Sequence, residues 1–559
     1  AFCVGCVGVD HQKGSGFSSH TFTDNDGGPY MTDFFDIDYV CHEVGHQMGA
    51  YHTLSAWNEG FGVNYEPGSG TTIMGYAGIT GPDDVQDHTD PYFHYASIDQ
   101  ILDNLDTKLE VGTITSIDNK PPTANAGADY TIPSGTPFVL TGALTDDDVN
   151  DIHTYTWEEI DDGVSHFANF GPRKRTGAIF RSRPPSINPK RYFPLMSRIV
   201  SGELTESSPV ESVNNTTWET ITAVSRELNF ALTIRDRSEG NGLANYGQSS
   251  FDTMRVTVDD THGAFSVTSQ SSNETWYENS DQMVNWSVAN TNVEPINVTQ
   301  VNILLSTDGG YTYPITLASN VENDGAHRII VPENSSTTDA RIMIQPVNNI
   351  FFAINSANFS VESIPFVLNT TEAVKELCKP EDGEFEFLYE TSNGFNENTT
   401  FSASNLPVGI TVSFDPTSTS TDNTLVTMSL SSTSTITEGS YDVTVNSIAQ
   451  SFTYSRTVAL NLYSNEINPT TLLTPLNNEE NVLKEAVLTW SEDINAKEYF
   501  LEIATDETFT SVIEAVTLKS SNYTATKLEP FITYFWRVTS INKCASSLPS
   551  EVFNFKTIF

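Results

Sequence analysis

Residues 42–53 read HEVGHQMGAYHT, and the spacing of their histidines leaves few local folds open. Four residues make just over one helical turn, so His42 and His46 share a helix face and can reach one cation. Glu43 flanks that cation rather than competing for it, and a carboxylate there can take a proton from an attacking water. Gly49 ends the helix, because glycine enters left-handed backbone conformations at little cost. The turn that follows brings His52 back as a third nitrogen ligand. Three protein ligands with one open position is the layout of a catalytic zinc site rather than a closed structural one. A histidine-rich helix without chemistry is the plain alternative.

The extended pattern H-E-x-x-H-x-x-G-x-x-H resembles that of the metzincin metallopeptidases, which also carry a methionine turn downstream. Here TTIMGYAG, residues 71–78, supplies Met74. The resemblance implies zinc on His42, His46 and His52, Glu43 as general base, and Met74 beneath the metal. Tyr76 lies two residues after that methionine. In the astacin and serralysin branches a tyrosine there binds the metal or steadies the oxyanion; a tyrosine packed under the site is the other reading. Thr53 departs from the aspartate that snake-venom-type reprolysins carry after the third histidine. FFDIDYVCHEVGHQMGAYHT and EPGSGTTIMGYAGI look most like bacterial secreted reprolysin-like peptidases.

At 559 residues the chain has room for four or five domains. Its net charge of −45 disfavours nucleic acid, whose phosphates need Lys/Arg patches, and suits a secreted protein in salty or calcium-containing water. No apolar run reaches membrane-spanning length. No signal peptide is visible and residue 1 is not Met, which reads as a processed or truncated chain. Cys3-x-x-Cys6 has no second pair to complete a zinc ribbon. A disulfide from Cys41 to Cys3 or Cys6 is one expectation and isolated thiols the other; pairing of Cys378 with Cys544 is left open.

The expected architecture is an α+β metzincin-type catalytic domain, residues 1–118, followed by a string of all-β sandwiches. AFCVGCVGV reads as a buried strand and FSSHTF as a shorter one. A helix follows over about 34–48, with Ile37, Cys41, Val44 and Met48 on its buried side. SIDQILDNLDTKL, residues 97–109, reads as a closing helix with Ser97 and Gln100 as a capping box and Ile98, Ile101, Leu102, Leu105 and Leu109 as its apolar stripe. Metzincin domains normally place more sheet before the zinc helix than 41 residues hold. The chain is therefore expected to be a fragment of a longer precursor, with an unpaired edge on the 2–9 strand and Val4, Val7 and Val9 partly uncovered.

Pro121-Pro122 marks a linker, after which Thr, Val, Ser and Asn alternate with aromatics in β-sandwich texture. PPTANAGADYTIPSGTPFVLTGALTDDD with YTW resembles polycystic-kidney-disease-type domains, placing one at 119–264. Within it, about 165–226 forms a basic island holding Arg173, Lys174, Arg175, Arg181, Arg183, Lys190, Arg191 and Arg198. This reads as a solvated excursion, with folding back onto the acidic catalytic part or gripping an anionic substrate as alternatives. Ig-like sandwiches are expected at 265–364 and 365–465. In the first, STDGGYTY resembles an Asp-box turn shaped by Asp308 and Gly309-Gly310. Residues 466–559 resemble a fibronectin type III module, with Trp490 and a tyrosine corner formed by Leu528, Tyr534 and Val538.

Asp146, Asp147, Asp148 and Asp151 form an acidic loop that either holds calcium, a hard cation that takes oxygen ligands, or stays solvated. His88 and His94 read as structural or surface histidines. The sequon Asn215-Thr216-Thr217 matters only in a host that glycosylates. The sequence thus predicts a secreted zinc endopeptidase acting on proteins or peptides, its β-modules binding cell-surface or substrate polymers. The rival is a multidomain adhesion protein with an incomplete or vestigial protease part.

Overall fold

The computed structural model describes residues 3–13, 15, 16, 18, 35–108, 110, 112, 117, 119–148, 150–209, 218–236 and 246–558. Of the second expected strand, FSSHTF, only Ser18 is described, and the sequon at Asn215 lies outside the described residues. The chain divides into two compact units, residues 1–278 with 282–362, and residues 279–281 with 363–559. A short helical region opens the first, and β-sandwiches make up the rest. No helix of the described residues is long and apolar enough to cross a membrane.

The helix over the histidine motif has two parts, a π-helical stretch Phe35–Cys41 and the α-helix His42–Met48. Its inner side packs Ile37 and Cys41 with Ala50, Ile73 and Met74. Val44, expected on that side, is 48% exposed, because the face carrying His42 and His46 takes the interior instead. Residues 3–13 are not a strand. Gly5 and Gly8 both sit at φ +69°, which breaks an extended run. The segment serves the helix differently: the Gly5 amide donates to His46 O at 2.8 Å and Val7 to Gln47 O at 3.0 Å. Two carbonyls of the last helical turn gain an acceptor role this way, where a helix end leaves carbonyls short of intrahelical donors. Val4 and Val9 stay 36% exposed, as expected, but without a strand edge.

The closing helix, Tyr95–Asp106, starts before the expected capping box. His94 is its N-cap and accepts from the Ala96 amide at 3.1 Å, while Glu158 accepts from the Tyr95 amide at 2.8 Å. The entry point is thus set by a carboxylate 63 residues away. Gln100 accepts from the Tyr51 amide instead of capping its own helix. Leu102, placed in the apolar stripe, is 47% exposed.

Residues 130–259 build a four-stranded sheet in the order Tyr130–Pro133, Ser249–Asp259, Arg226–Asp236, His153–Glu159. Strand side chains alternate between faces. Leu228, Phe230, Leu232 and Ile234 point into the sandwich core with Trp157 and Val256. The opposite face is also covered, with Ala231, Thr233 and Glu158 all at 0% exposure. The helical region covers it: Arg235 Nη2 donates to Phe93 O at 2.8 Å, and the Tyr95 and Phe251 rings meet edge-to-face at 4.8 Å.

The basic island is built into this junction rather than solvated. Arg181 is 2% exposed and donates to Val85 O and to Gln86 of the helical region. Arg183 Nε and Arg191 Nη2 flank Glu219 at 3.0 and 3.3 Å. Burial raises the Glu219 carboxyl, but these two guanidinium groups outweigh it and hold the group below the usual range. Of its eight basic residues named above, Arg173, Arg175 and Lys190 are exposed. The fold-back alternative is the one observed.

Residues 266–362 add a second pair of sheets that shares one core with the first sandwich. In its Asp-box turn, Asp308 accepts from Thr312 Oγ1 at 2.6 Å and from the Tyr311 and Thr312 amides. The second unit holds two further two-sheet layers, and Cys378 and Cys544 are bonded within it across 166 residues of sequence. Cys3, Cys6 and Cys41 are free thiols, so the Cys41 bridge does not form. In the last sandwich Leu528, Tyr534 and Val538 join Trp490 in the core, and Tyr534 Oη accepts from the Glu529 amide at 2.8 Å.

These contacts carry a consequence for dissection. Residues 1–118 expressed alone should show no cooperative thermal transition, whereas residues 1–362 should melt as one unit, because the first piece leaves Val85 and Tyr92 without the sandwich that covers them. The sandwich side supplies Arg235 over the Tyr92 ring and the Arg183 carbonyl to its hydroxyl. Calorimetry on both pieces checks this, and a sharp transition from the short piece would contradict it.

Candidate metal centre

His42, His46 and His52 each place a ring nitrogen within 4.8 Å of the other two. Helix geometry sets the first two. Gly49, at φ +125°, makes the turn, and its amide caps the helix on Gly45 O and His46 O. A Cβ on Gly49 would stand 2.7 Å from Asn104 Cβ, so the position also needs the missing side chain. Met74, fully buried, lies against the underside of the helix. A Cβ on Gly45 would come within 2.5 Å of Met74 Sδ. Gly45, at an unspecified position of the motif, is thus what lets the methionine turn approach.

The tautomers follow from the hydrogen bonds. His42 Nδ1 faces Ile73 O at 2.7 Å, His46 Nδ1 faces Ala50 O at 2.8 Å, and His52 Nδ1 faces Glu59 Oε2 at 2.5 Å. Each partner is an acceptor, so each Nδ1 carries the proton and each Nε2 presents a lone pair. His46 Nε2 and His52 Nε2 then stand 2.9 Å apart as two lone pairs. They repel unless a cation lies between them, so the donor set fits zinc. Burial, aided by the neighbouring imidazoles, pushes His42 down to about 3. Burial likewise lowers His46 to about 4. Both rings are therefore neutral, as ligands must be.

Tyr76 Oη lies 2.9 Å from His52 Nε2. Burial, then the charges of Glu59 and Glu43, push its hydroxyl up to about 12, so it stays a donor at neutral pH. Glu43 and Tyr76 line one cavity of about 210 Å³ together with His42.

Two carboxylates that the motif does not contain hold the site. Glu59 orients His52 and also accepts from Trp57 Nε1 at 3.0 Å. Glu66, fully buried, accepts from Thr53 Oγ1 at 2.6 Å, Thr72 Oγ1 at 2.5 Å and the Thr71 amide at 2.9 Å. Burial raises its carboxyl, yet nearby His94 and these hydrogen bonds leave it below the ordinary value. Glu66 thereby ties the residue after the third histidine to the methionine turn. Thr53, the departure from the reprolysin pattern, acts here as a donor to that carboxylate. The only sequence signal for Glu66 is its place at the head of EPGSGTTIM, which spacing rules do not read.

The acidic loop is only partly assembled. Asp146 and Asp151 approach Asp236, with one oxygen from each within 4.8 Å of the others. Asp147 pairs with Lys120 at 2.8 Å and Asp148 accepts from the Lys120 amide at 2.7 Å, so neither joins that group. His94 is buried as a helix cap, and His88, largely exposed, bonds Asp38.

Residues 1–105 match the family model of the M12B reprolysin-like metallopeptidases. No curated protein matches the chain. Solved structures with local likeness include a segment of titin, 13% identical, covering 52% of this chain and 96% of that one at a TM-score of 0.21. Chicken CNTN1 FN1-FN3 domains are 13% identical over 50% of this chain and 95% of theirs at a TM-score of 0.19. The type-III domain of human fibronectin type III domain containing protein 3 is 21% identical over 17% of this chain and 89% of its own at a TM-score of 0.14.

Replacing Glu66 by Ala strands the Thr71 and Thr72 amides in the interior. Zinc affinity should fall by about 10–100-fold, with a lower melting temperature; an unchanged zinc Kd by competition titration would free Glu66 from this role. The metal-free protein should also respond to acid through His42 and His46. Their folded-state values lie below the unfolded 6.5, so the unfolded chain binds more protons in between. The stability they contribute is complete above about pH 6.5 and is lost as pH falls toward 4 to 3. Melts in chelator from pH 7 to pH 4 should therefore show the wild type losing more than His42→Asn.

Proposed function

We propose that this chain is a secreted zinc-dependent endopeptidase, with proteins or peptides as substrates. The observation that carries the reading is the convergence of three histidine nitrogens whose other ring nitrogens are already committed to acceptors. The match of residues 1–105 to a metallopeptidase family supports it.

His42, His46 and His52 would hold the zinc. When bound, the metal supplies a Lewis acid that makes water nucleophilic at neutral pH and polarises the substrate carbonyl. Glu43 is the base: it takes the proton from the attacking water and returns it to the leaving amine. Glu43 is adjacent to a ligand but is not needed as one, since three nitrogens complete the protein's share. Tyr76, protonated at neutral pH, donates to the oxygen on which negative charge develops. Glu59 fixes the His52 ring, and Glu66 holds the turn beneath.

The long-range Cys378–Cys544 bond supports an oxidising, extracellular compartment. Calcium on Asp146, Asp151 and Asp236 belongs to the same reading, as does a substrate- or surface-binding role for the sandwiches. The adhesion alternative draws on those sandwiches alone and leaves the histidine cluster without a use.

Glu43→Ala should abolish casein cleavage while one zinc per chain remains by atomic absorption. Parallel loss of metal and activity would make Glu43 structural. Tyr76→Phe should lower kcat by about 10-fold or more with KM little changed; an unaltered kcat returns Tyr76 to packing. A wild-type protein that binds zinc yet cuts neither casein nor peptides would favour the adhesion alternative.

A further inference from the structure

The cavity beside Glu43 holds a second carboxylate that the proposed chemistry leaves unused. Asp38 lies one helical turn before His42 and lines the cavity with Tyr39, Ala77 and Ile79. Its side chain is only 12% exposed. One oxygen accepts from His88 Nδ1 at 3.1 Å and the other from the Thr89 amide at 3.0 Å. Neither partner is a fixed cation. Burial pushes the Asp38 carboxyl above the usual range despite the bonds from His88 and Thr89. The charged form is therefore under-compensated, and an incoming cation would compensate it.

The rest of the cavity suits the other end of such a ligand. Tyr39, Ala77 and the 62% exposed Ile79 offer apolar surface next to that carboxylate. The cavity, about 210 Å³, is shared with His42, Glu43 and Tyr76, so the part beside Asp38 has room for a slender side chain and not for a bulky group. Lysine and arginine carry an apolar stem and a cationic head, and bury the first while pairing the second.

We propose that Asp38 selects substrates bearing lysine or arginine next to the cleaved bond, with the alkyl stem against Tyr39, Ala77 and Ile79 and the cationic head on the carboxylate. The proposal rests on the endopeptidase reading and adds the substrate class to it.

The zinc-loaded full chain is incubated with a mixed peptide pool and the cut sites are read by mass spectrometry. Lysine and arginine should be enriched at one position flanking the cuts; no enrichment of either overturns the proposal. With a matched pair of peptides differing only as lysine or norleucine at that position, the ratio of their kcat/KM values should fall about 10–100-fold in Asp38→Asn, whatever the absolute rates. Asp38→Glu should keep the preference. An equal loss on both peptides makes Asp38 structural and overturns it. Binding to Glu43→Ala by calorimetry is read without turnover and without altering Asp38: lysine peptide at least about tenfold tighter than norleucine supports the assignment, equal affinity sinks it. Absence of any cut in the pool and in casein would instead count against the endopeptidase reading, and the calorimetric comparison would still decide Asp38.

Discussion

Glu66 is a fully buried carboxylate, and it is kept charged by what surrounds it. Three threonines and two backbone amides point at it, and His94 stands nearby. An isolated buried charge would cost several kcal/mol, so every one of those donors is needed for the group to stay ionised. The consequence reaches the metal centre from both sides. Thr53 follows His52, and Thr72 lies two residues before Met74. One anion therefore sets the spacing between the ligand loop and the turn beneath it. The Thr53 amide adds a direct bond to Met74 O at 3.1 Å, closing the same loop through the backbone.

The helical region takes its remaining support from the neighbouring sandwich. Among the described residues it contains no strand beyond an isolated bridge of Leu54 with Glu66. The outer face of the strands His153–Glu159 and Arg226–Asp236 lies over it in place of a sheet of its own. Polar groups fix the contact: Ser165 bonds both Ser55 and Gly68, Asp83 accepts from the Phe167 amide, and Asp162 from the Asn64 amide. Apolar groups seal it, with Val85 in the sandwich core beside Trp218. The helical region and the first sandwich are thus one packing unit.

What was legible in the sequence was local. His42, Glu43, His46, Gly49, His52 and Met74 lie where spacing puts them, because one helical turn and one glycine turn decide it. The sandwich strands were legible for the same reason, as alternation belongs to the strand itself. What escaped depends on partners far along the chain. Glu66 and Glu59 look like surface acids until the threonines and His52 are placed around them. Arg181 and Arg191 look solvated until Glu219 and Gln86 are beside them. The 2–9 segment differs for another reason: its nearly continuous apolar run reads like a buried strand, but two glycines at positive φ override the pattern. The Asp146 loop was half legible, since Asp236, the third member of the observed group, is 85 residues away from Asp151.

Placing arginines in the interior changes how the net charge of −45 is distributed. Arg181, Arg183, Arg191 and Arg226 are engaged with Gln86, Glu219, Glu159 and Asp161 at or beneath the surface. These pairs take Glu219, Glu159 and Asp161 out of the solvent-facing balance along with the arginines, so that balance keeps the sign of the net charge. The field around the molecule is accordingly negative, and it falls off over roughly 8 Å at physiological salt. A field of that range gathers cationic polymers but cannot distinguish one side chain from the next. Discrimination needs a charge that salt does not reach. Asp38, largely buried and next to the reacting groups, is such a charge. Raising ionic strength should therefore slow the capture of basic substrates while leaving the choice of residue at the cut unchanged, because the two effects arise from charges in different dielectric surroundings.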